Sequence, residues 1–135
     1  AATGALAENA NAINATFADT LDAAGAMGFR EAWAAGNAAT IGYASASNAT
    51  SKQRALGVLT DASVAQLSGW LADSTGVAAD VSRPVLEAQL AALVAVIDDQ
   101  RAKSWSSVAA DDRAAETSTE VVADLVASGA TAKLP

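Results

Sequence analysis

Residues Ser82 to Lys103 read SRPVLEAQLAALVAVIDDQRAK, and this stretch decides the fold class. Leu86, Leu90, Leu93 and Ile97 recur at steps of three and four, with Val85, Val94 and Val96 beside them. That spacing draws one apolar face along an α-helix and offers no two-residue alternation for a strand. Pro84 suits a first helical turn, where its missing N–H is not needed, and Ser82 stands ahead of it as a start signal. Arg101 and Lys103 place positive charge at the negative end of the helix dipole. This is the expected central helix of the protein.

Working towards the N-terminus, Asp73-Ser74-Thr75-Gly76 has turn chemistry. Before it, Val64, Leu67, Trp70 and Leu71 form a stripe that opens at a capping Thr60 or Asp61. A short helix is expected over Lys52 to Leu59, either separate or joined to the next as one kinked helix. Ser45 to Ser51 reads as a loop. Phe29, Trp33, Gly36, Thr40 and Tyr43 mark another helix, in which Ala32, Gly36 and Thr40 make a small-residue ridge suited to close helix contact. A first helix is expected from Thr3, with Leu6, Ala10, Ile13, Phe17, Leu21 and Ala24 in its stripe, ending at Gly25 or Gly28. In the other direction, Ser104 to Ala110 reads as a connection containing Trp105. Asp111 caps a last helix that runs to about Ser128 and stops at Gly129. The sequence therefore predicts an all-α fold, an antiparallel bundle of five or six helical segments forming one domain over residues 1–135.

Alanine inflates the 52% hydrophobic fraction, so backbones approaching closely must build the core as much as large side chains do. Eight Lys and Arg against fifteen Asp and Glu leave a net charge of −7, which disfavours binding to nucleic acid phosphates or anionic lipid. The longest apolar run, Val85 to Ile97, contains Glu87 and Gln89 and is too short to span a bilayer. There is no Cys and no His. Thiolate chemistry is thereby excluded, and the commonest general base and transition-metal ligand are removed. No cofactor and no metal are expected. The opening Ala1-Ala2-Thr3 suits a chain cleaved after a small residue, which leads to an expectation of a secreted or cell-surface location.

The most regular charged feature is Asp112, Glu116, Glu120 and Asp124, four acids at successive i,i+4 positions on the last helix. They read first as a solvated face opposite Ala115, Val122, Leu125 and Val126, and second as a docking face for a basic partner or divalent cations. Like charges so spaced cost about 0.2–0.5 kcal/mol per pair. Glu87, Asp98 and Asp99 lack the His partners of a di-iron bundle site. Asp73 to Asp80 lacks the alternating oxygen ligands of a calcium loop. The sequons at Asn14 and Asn48 match a glycosylation acceptor. Phe17, Trp33 and Trp70 occupy apolar stripes as core. If the helices enclose a ligand, Trp33, Tyr43 and Trp70 are its expected wall, while Trp105 in a connection is a contact residue for a partner.

Three functions follow. The first is a non-catalytic domain acting by self-association or protein partner binding. The second is a carrier of a small apolar ligand between helices, and the third is an enzyme using carboxylates alone, with Glu87 as its candidate.

Overall fold

The computed structural model describes Leu21 and residues 23–132. Among these residues there are helices and short connections and no strand. We label the helices α1 (Ala23–Ser45), α2 (Ala49–Thr60), α3 (Leu67–Thr75), α4 (Ala79–Ala102) and α5 (Trp105–Thr131). A π-helical segment, Asp61–Gln66, joins α2 to α3. Thr60, Gln66 and Leu67 keep right-handed helical dihedrals, so α2, the π segment and α3 make one uninterrupted rod. The described residues thus contain four continuous helices. The helix expected from Thr3, together with Phe17 and Asn14, lies outside them.

Several boundaries differ from the sequence reading, each for a local reason. Gly25 and Gly28 do not end a helix, because α1 starts at Ala23 and runs through both. Gly28 instead makes room, since a Cβ there would stand 3.1 Å from Cδ1 of Trp70. Thr60 is no N-cap, because its hydroxyl donates back to the Leu56 carbonyl inside the rod. The rod starts earlier, at Asn48, whose side chain accepts the Ser51 N–H while the Ser51 hydroxyl accepts the Asn48 N–H, a reciprocal capping box.

Asp73, Ser74 and Thr75 are helical, and only Gly76 leaves the helix, in the left-handed region at φ 77°. α4 begins at Ala79, so Pro84 lies in its second turn; the Asp80 carbonyl it cannot serve belongs to an exposed residue open to water. Ser104 to Ala110 is not a connection. Lys103 turns into the left-handed region at φ 57° and Ser104 N–H reaches the Asp99 carbonyl at 2.9 Å, so α4 ends and α5 starts within two residues. Asp111 is therefore interior to α5. Gly129 does not stop that helix, which continues to Thr131.

Neighbouring helices alternate in direction. Trp70 late in the rod bonds Gly25 at the start of α1, and Lys52 early in the rod meets Asp98 late in α4. Gln89 in α4 donates to Thr119 in α5, residues equidistant from Ser104. α4 packs against both the rod and α5, and α5 also touches α3. The core holds Phe29, Tyr43, Leu59, Leu67, Trp70, Leu71, Leu86, Leu90, Ile97, Val122 and Val126. Nearly all stand in the apolar stripes of the sequence.

Candidate functional site

Four polar side chains, Tyr43, Lys52, Asp98 and Arg101, gather where α1 ends, the rod begins and α4 ends. Tyr43 is 1% exposed. Its hydroxyl donates to the Asp98 carboxylate, 3.1 Å from either oxygen, and Lys52 Nζ donates to Oδ2 of the same carboxylate at 2.8 Å. Arg101 donates from its guanidinium to the carbonyl of Tyr43, which also accepts the Ala46 N–H, and to that of Ala46 just past α1, where the helix dipole is negative. Burial, and then the bond to Asp98, push the Tyr43 phenol above its usual value of 10.0. The Asp98 hydrogen bond raises the Lys52 ammonium. This junction ties three helices together.

Trp33 and Trp70 both touch Phe29, with ring centroids 5.5 and 5.0 Å apart respectively. Trp70 is buried and donates its indole N–H to the Gly25 carbonyl at 2.7 Å. Tyr43 stands about 21 Å further along α1, at 1.5 Å per residue from Phe29. The structure therefore brings Trp33 and Trp70 together and keeps Tyr43 apart, bonded to Asp98. Trp33 borders a pit of about 80 Å³ where α1, the π segment and α4 meet, lined also by Asn37, Ser63, Leu67, Gln89 and Leu93. Its buried indole N–H has no hydrogen-bond partner. A donor left so costs on the order of 1–3 kcal/mol. The ridge of Ala32, Gly36 and Thr40 lines the same pit; it is spent inside the chain, on α1 packing over the π segment.

On the outer side of the α4–α5 hairpin an open groove of about 690 Å³ runs between Pro84, Val85, Ala88 and Ala92 on one wall and Arg113, Ala114, Thr117, Ser118 and Val121 on the other. Arg113 is the single charge in this lining. Val121 in this wall is 47% exposed. Asp112, Glu116, Glu120 and Asp124 are all exposed, and Val122 and Val126 on the other side of α5 are buried, so the acids form the solvated stripe expected of them. At about 100° per residue the stripe's later members, Glu120 and Asp124, border the groove beside Arg113. Trp105 is the first residue of α5 and is 66% exposed, at the tip of the hairpin. A wider open cleft of about 750 Å³, between the start of α1 and α3, is bordered by Glu31, Gln66, Trp70 and Asp73.

Among the described residues no three acids gather as a metal site. Asp98 is held by Tyr43 and Lys52, and Glu87 is exposed. Asp99 faces Asp111 across the hairpin, and that hydrogen-bonded carboxylate pair raises the Asp111 carboxyl above its usual range. None of the described helices is long and apolar enough to cross a membrane. Sequence reasoning did not single out Asn37 or Ser63, and it gave Arg101 a role only at the end of its own helix, whereas its guanidinium reaches the carbonyls of Tyr43 and Ala46; the one signal was that a stripe tryptophan needs a partner for its N–H. No protein-family model, curated protein or solved structure matches this chain.

Proposed function

We propose that this chain is a non-catalytic helical bundle that acts by self-association, through the groove on its α4–α5 hairpin. The observation that carries the reading is the lining of that groove, mostly apolar with Thr117, Ser118 and Arg113 as its polar members, on a helix pair whose opposite side already supplies the core. Packing α5 of one copy antiparallel over the groove of another, about an axis near Thr117, sets Arg113 of each copy against Glu120 of the other. Such a contact is isologous and closes as a dimer. The acidic stripe then borders the interface and penalises any parallel arrangement, in which acid meets acid.

Sedimentation equilibrium tests this. The wild-type protein is expected to show a concentration-dependent dimer. Val121→Lys, which puts a charge in the apolar wall, should weaken it by at least tenfold, about 1.4 kcal/mol. Arg113→Glu should do likewise, and the double variant Arg113→Glu with Glu120→Arg should restore it. A chain that stays monomeric at the highest soluble concentration, or a dimer insensitive to all three variants, would sink the reading.

A further inference from the structure

A second open groove, of about 450 Å³, runs between α1 and the rod. It shares no residue and no helix with the groove on the hairpin. Its α1 wall is wholly apolar, built from Ala35, Ala38, Ala39 and Gly42, on a helix that carries no charged residue after Glu31. The rod supplies Ala55 and Val58 to the middle of the groove and Ser51 and Gln66 towards its ends. Val58 is 57% exposed, whereas its neighbour Leu59 is fully buried, so the rod leaves a large apolar side chain in water here. Helix propensity gives no reason for a β-branched residue at such a position. Arg54 and Asp61 also line the groove, and Val58 lies between them. They stand seven residues apart, which is two turns, about 10.5 Å, and nearly the same face of the rod. Both are exposed, and among the described residues neither is in an ion pair. Gln66 Nε2 donates to the Asp61 carboxylate at 3.0 Å, which fixes that side chain at the groove.

A basic and an acidic residue placed on either side of an exposed valine are complementary to the same three residues read in reverse. We infer that this face takes a second copy of the chain, rod against rod and antiparallel, about a two-fold axis near Val58. Arg54 of each copy then meets Asp61 of the other, and the two Val58 side chains leave water together. A parallel arrangement is disfavoured, because it sets arginine against arginine and aspartate against aspartate. The contact is isologous, like the one on the hairpin, but it is made by helices that the hairpin contact does not use. Each chain therefore has two self-complementary faces, and the rod contact joins hairpin dimers into larger assemblies as concentration rises. That joining rests on the hairpin reading; the rod contact by itself does not.

Sedimentation velocity of the full chain over a concentration series reads both contacts. The wild-type protein should pass beyond the dimer, and Val58→Lys should halt it there. With Val121→Lys weakening the hairpin contact, a dimer should persist through the rod, and adding Val58→Lys should weaken that dimer at least tenfold. In the same background Arg54→Asp should weaken it about fivefold or more, Arg54→Asp with Asp61→Arg should restore it, and added salt should loosen it. Thermal melts of Val58→Lys and Arg54→Asp should match the wild type, since both positions are exposed, so that a lost dimer reports the contact and not the fold. A Val121→Lys protein that is monomeric at the highest soluble concentration overturns the rod contact while supporting the hairpin one. A Val121→Lys dimer unmoved by Val58→Lys and Arg54→Asp overturns it as well. A wild-type assembly indifferent to Val121→Lys but broken by Val58→Lys upholds the rod contact and removes the hairpin reading. Rescue of Arg54→Asp by Glu120→Arg, and not by Asp61→Arg, would mean that the rod meets a hairpin, and overturns the pairing of rods.

Discussion

Replacing Gly129 by alanine separates a packing role for this residue from a helix-ending one. Gly129 is buried in the last two turns of α5, against the end of α3. A Cβ placed there would lie 2.6 Å from Thr75 Oγ1, 2.7 Å from Val77 Cγ2 and 2.8 Å from Thr75 Cβ. Carbon contacts are comfortable at about 3.5–4.0 Å, so the new methyl overlaps its neighbours by roughly 1 Å on three sides. Thr75 cannot yield by rotating, since it is β-branched, buried, and holds the Leu71 carbonyl through its hydroxyl at 2.7 Å. Val77 follows directly on the left-handed Gly76 that sets the direction of the chain. The end of α5 must therefore withdraw from α3. Overpacking of this kind costs about 1–3 kcal/mol, and with three contacts to two restrained residues the upper end applies. Alanine's better helix propensity returns about 1 kcal/mol. The net expectation is a loss of about 2 kcal/mol, or roughly 8 °C in Tm for a chain of this length. Gly57→Ala and Gly69→Ala are the controls, because both positions are exposed and helical with nothing within 4 Å of the added carbon. They should gain about 0.5–1 kcal/mol each. Urea and thermal unfolding followed by circular dichroism give all three values. If Gly129→Ala unfolds at or above the wild-type temperature, the close approach of α5 to α3 is wrong.

The single tyrosine makes the α1–α4 junction directly observable, because alkaline difference absorbance reports Tyr43 alone. Its titration midpoint should lie above 10 and fall in Asp98→Asn, which removes the negative acceptor; since the unfolded phenol ionises first, stability should decline as pH rises past about 10. At the hairpin, Asp111 carries a raised folded-state pKa beside Asp99, so the unfolded chain releases its proton first and stability falls as pH climbs above 3.8. Asp111→Asn should accordingly raise Tm at neutral pH, with the gain vanishing below about pH 4, and thermal melts across that range decide it. Lys103 sits in the left-handed region, where a side chain is disfavoured, so Lys103→Gly should stabilise the protein by about 0.5–1 kcal/mol in urea denaturation, an unusual sign for a glycine substitution.

Charge pattern and apolar spacing carried over into the structure where a residue's role depends on its own helix. Leu86, Leu90 and Ile97 are buried because their spacing admits one apolar face, and Asp112 to Asp124 are exposed for the complementary reason. The same logic put Val64, Leu67, Trp70 and Leu71 inward. Boundaries fared worse wherever a glycine or a cap residue was read as punctuation. Gly28 and Gly129 are small because another helix comes close, at Trp70 and at Thr75, and a neighbour distant in sequence leaves no local mark. Ser104 makes no side-chain cap, so no cap signal announced the start of α5.

What the sequence determined alone is the helical class, the inward face of each helix, the absence of thiolate and imidazole chemistry, and the acidic outer stripe, all properties of spacing and composition. What only the tertiary structure decided is which helices meet. The lateral packing of α1 against the rod and α4 bonds Tyr43 to Asp98, leaves Trp33 without an acceptor at the π segment, and exposes an apolar groove on the far side of the hairpin. The reason is physical: a 3.6-residue period says which way a side chain points from its own axis, whereas a hydrogen bond or a hollow between helices depends on the distance between axes, set by the packing of the whole core.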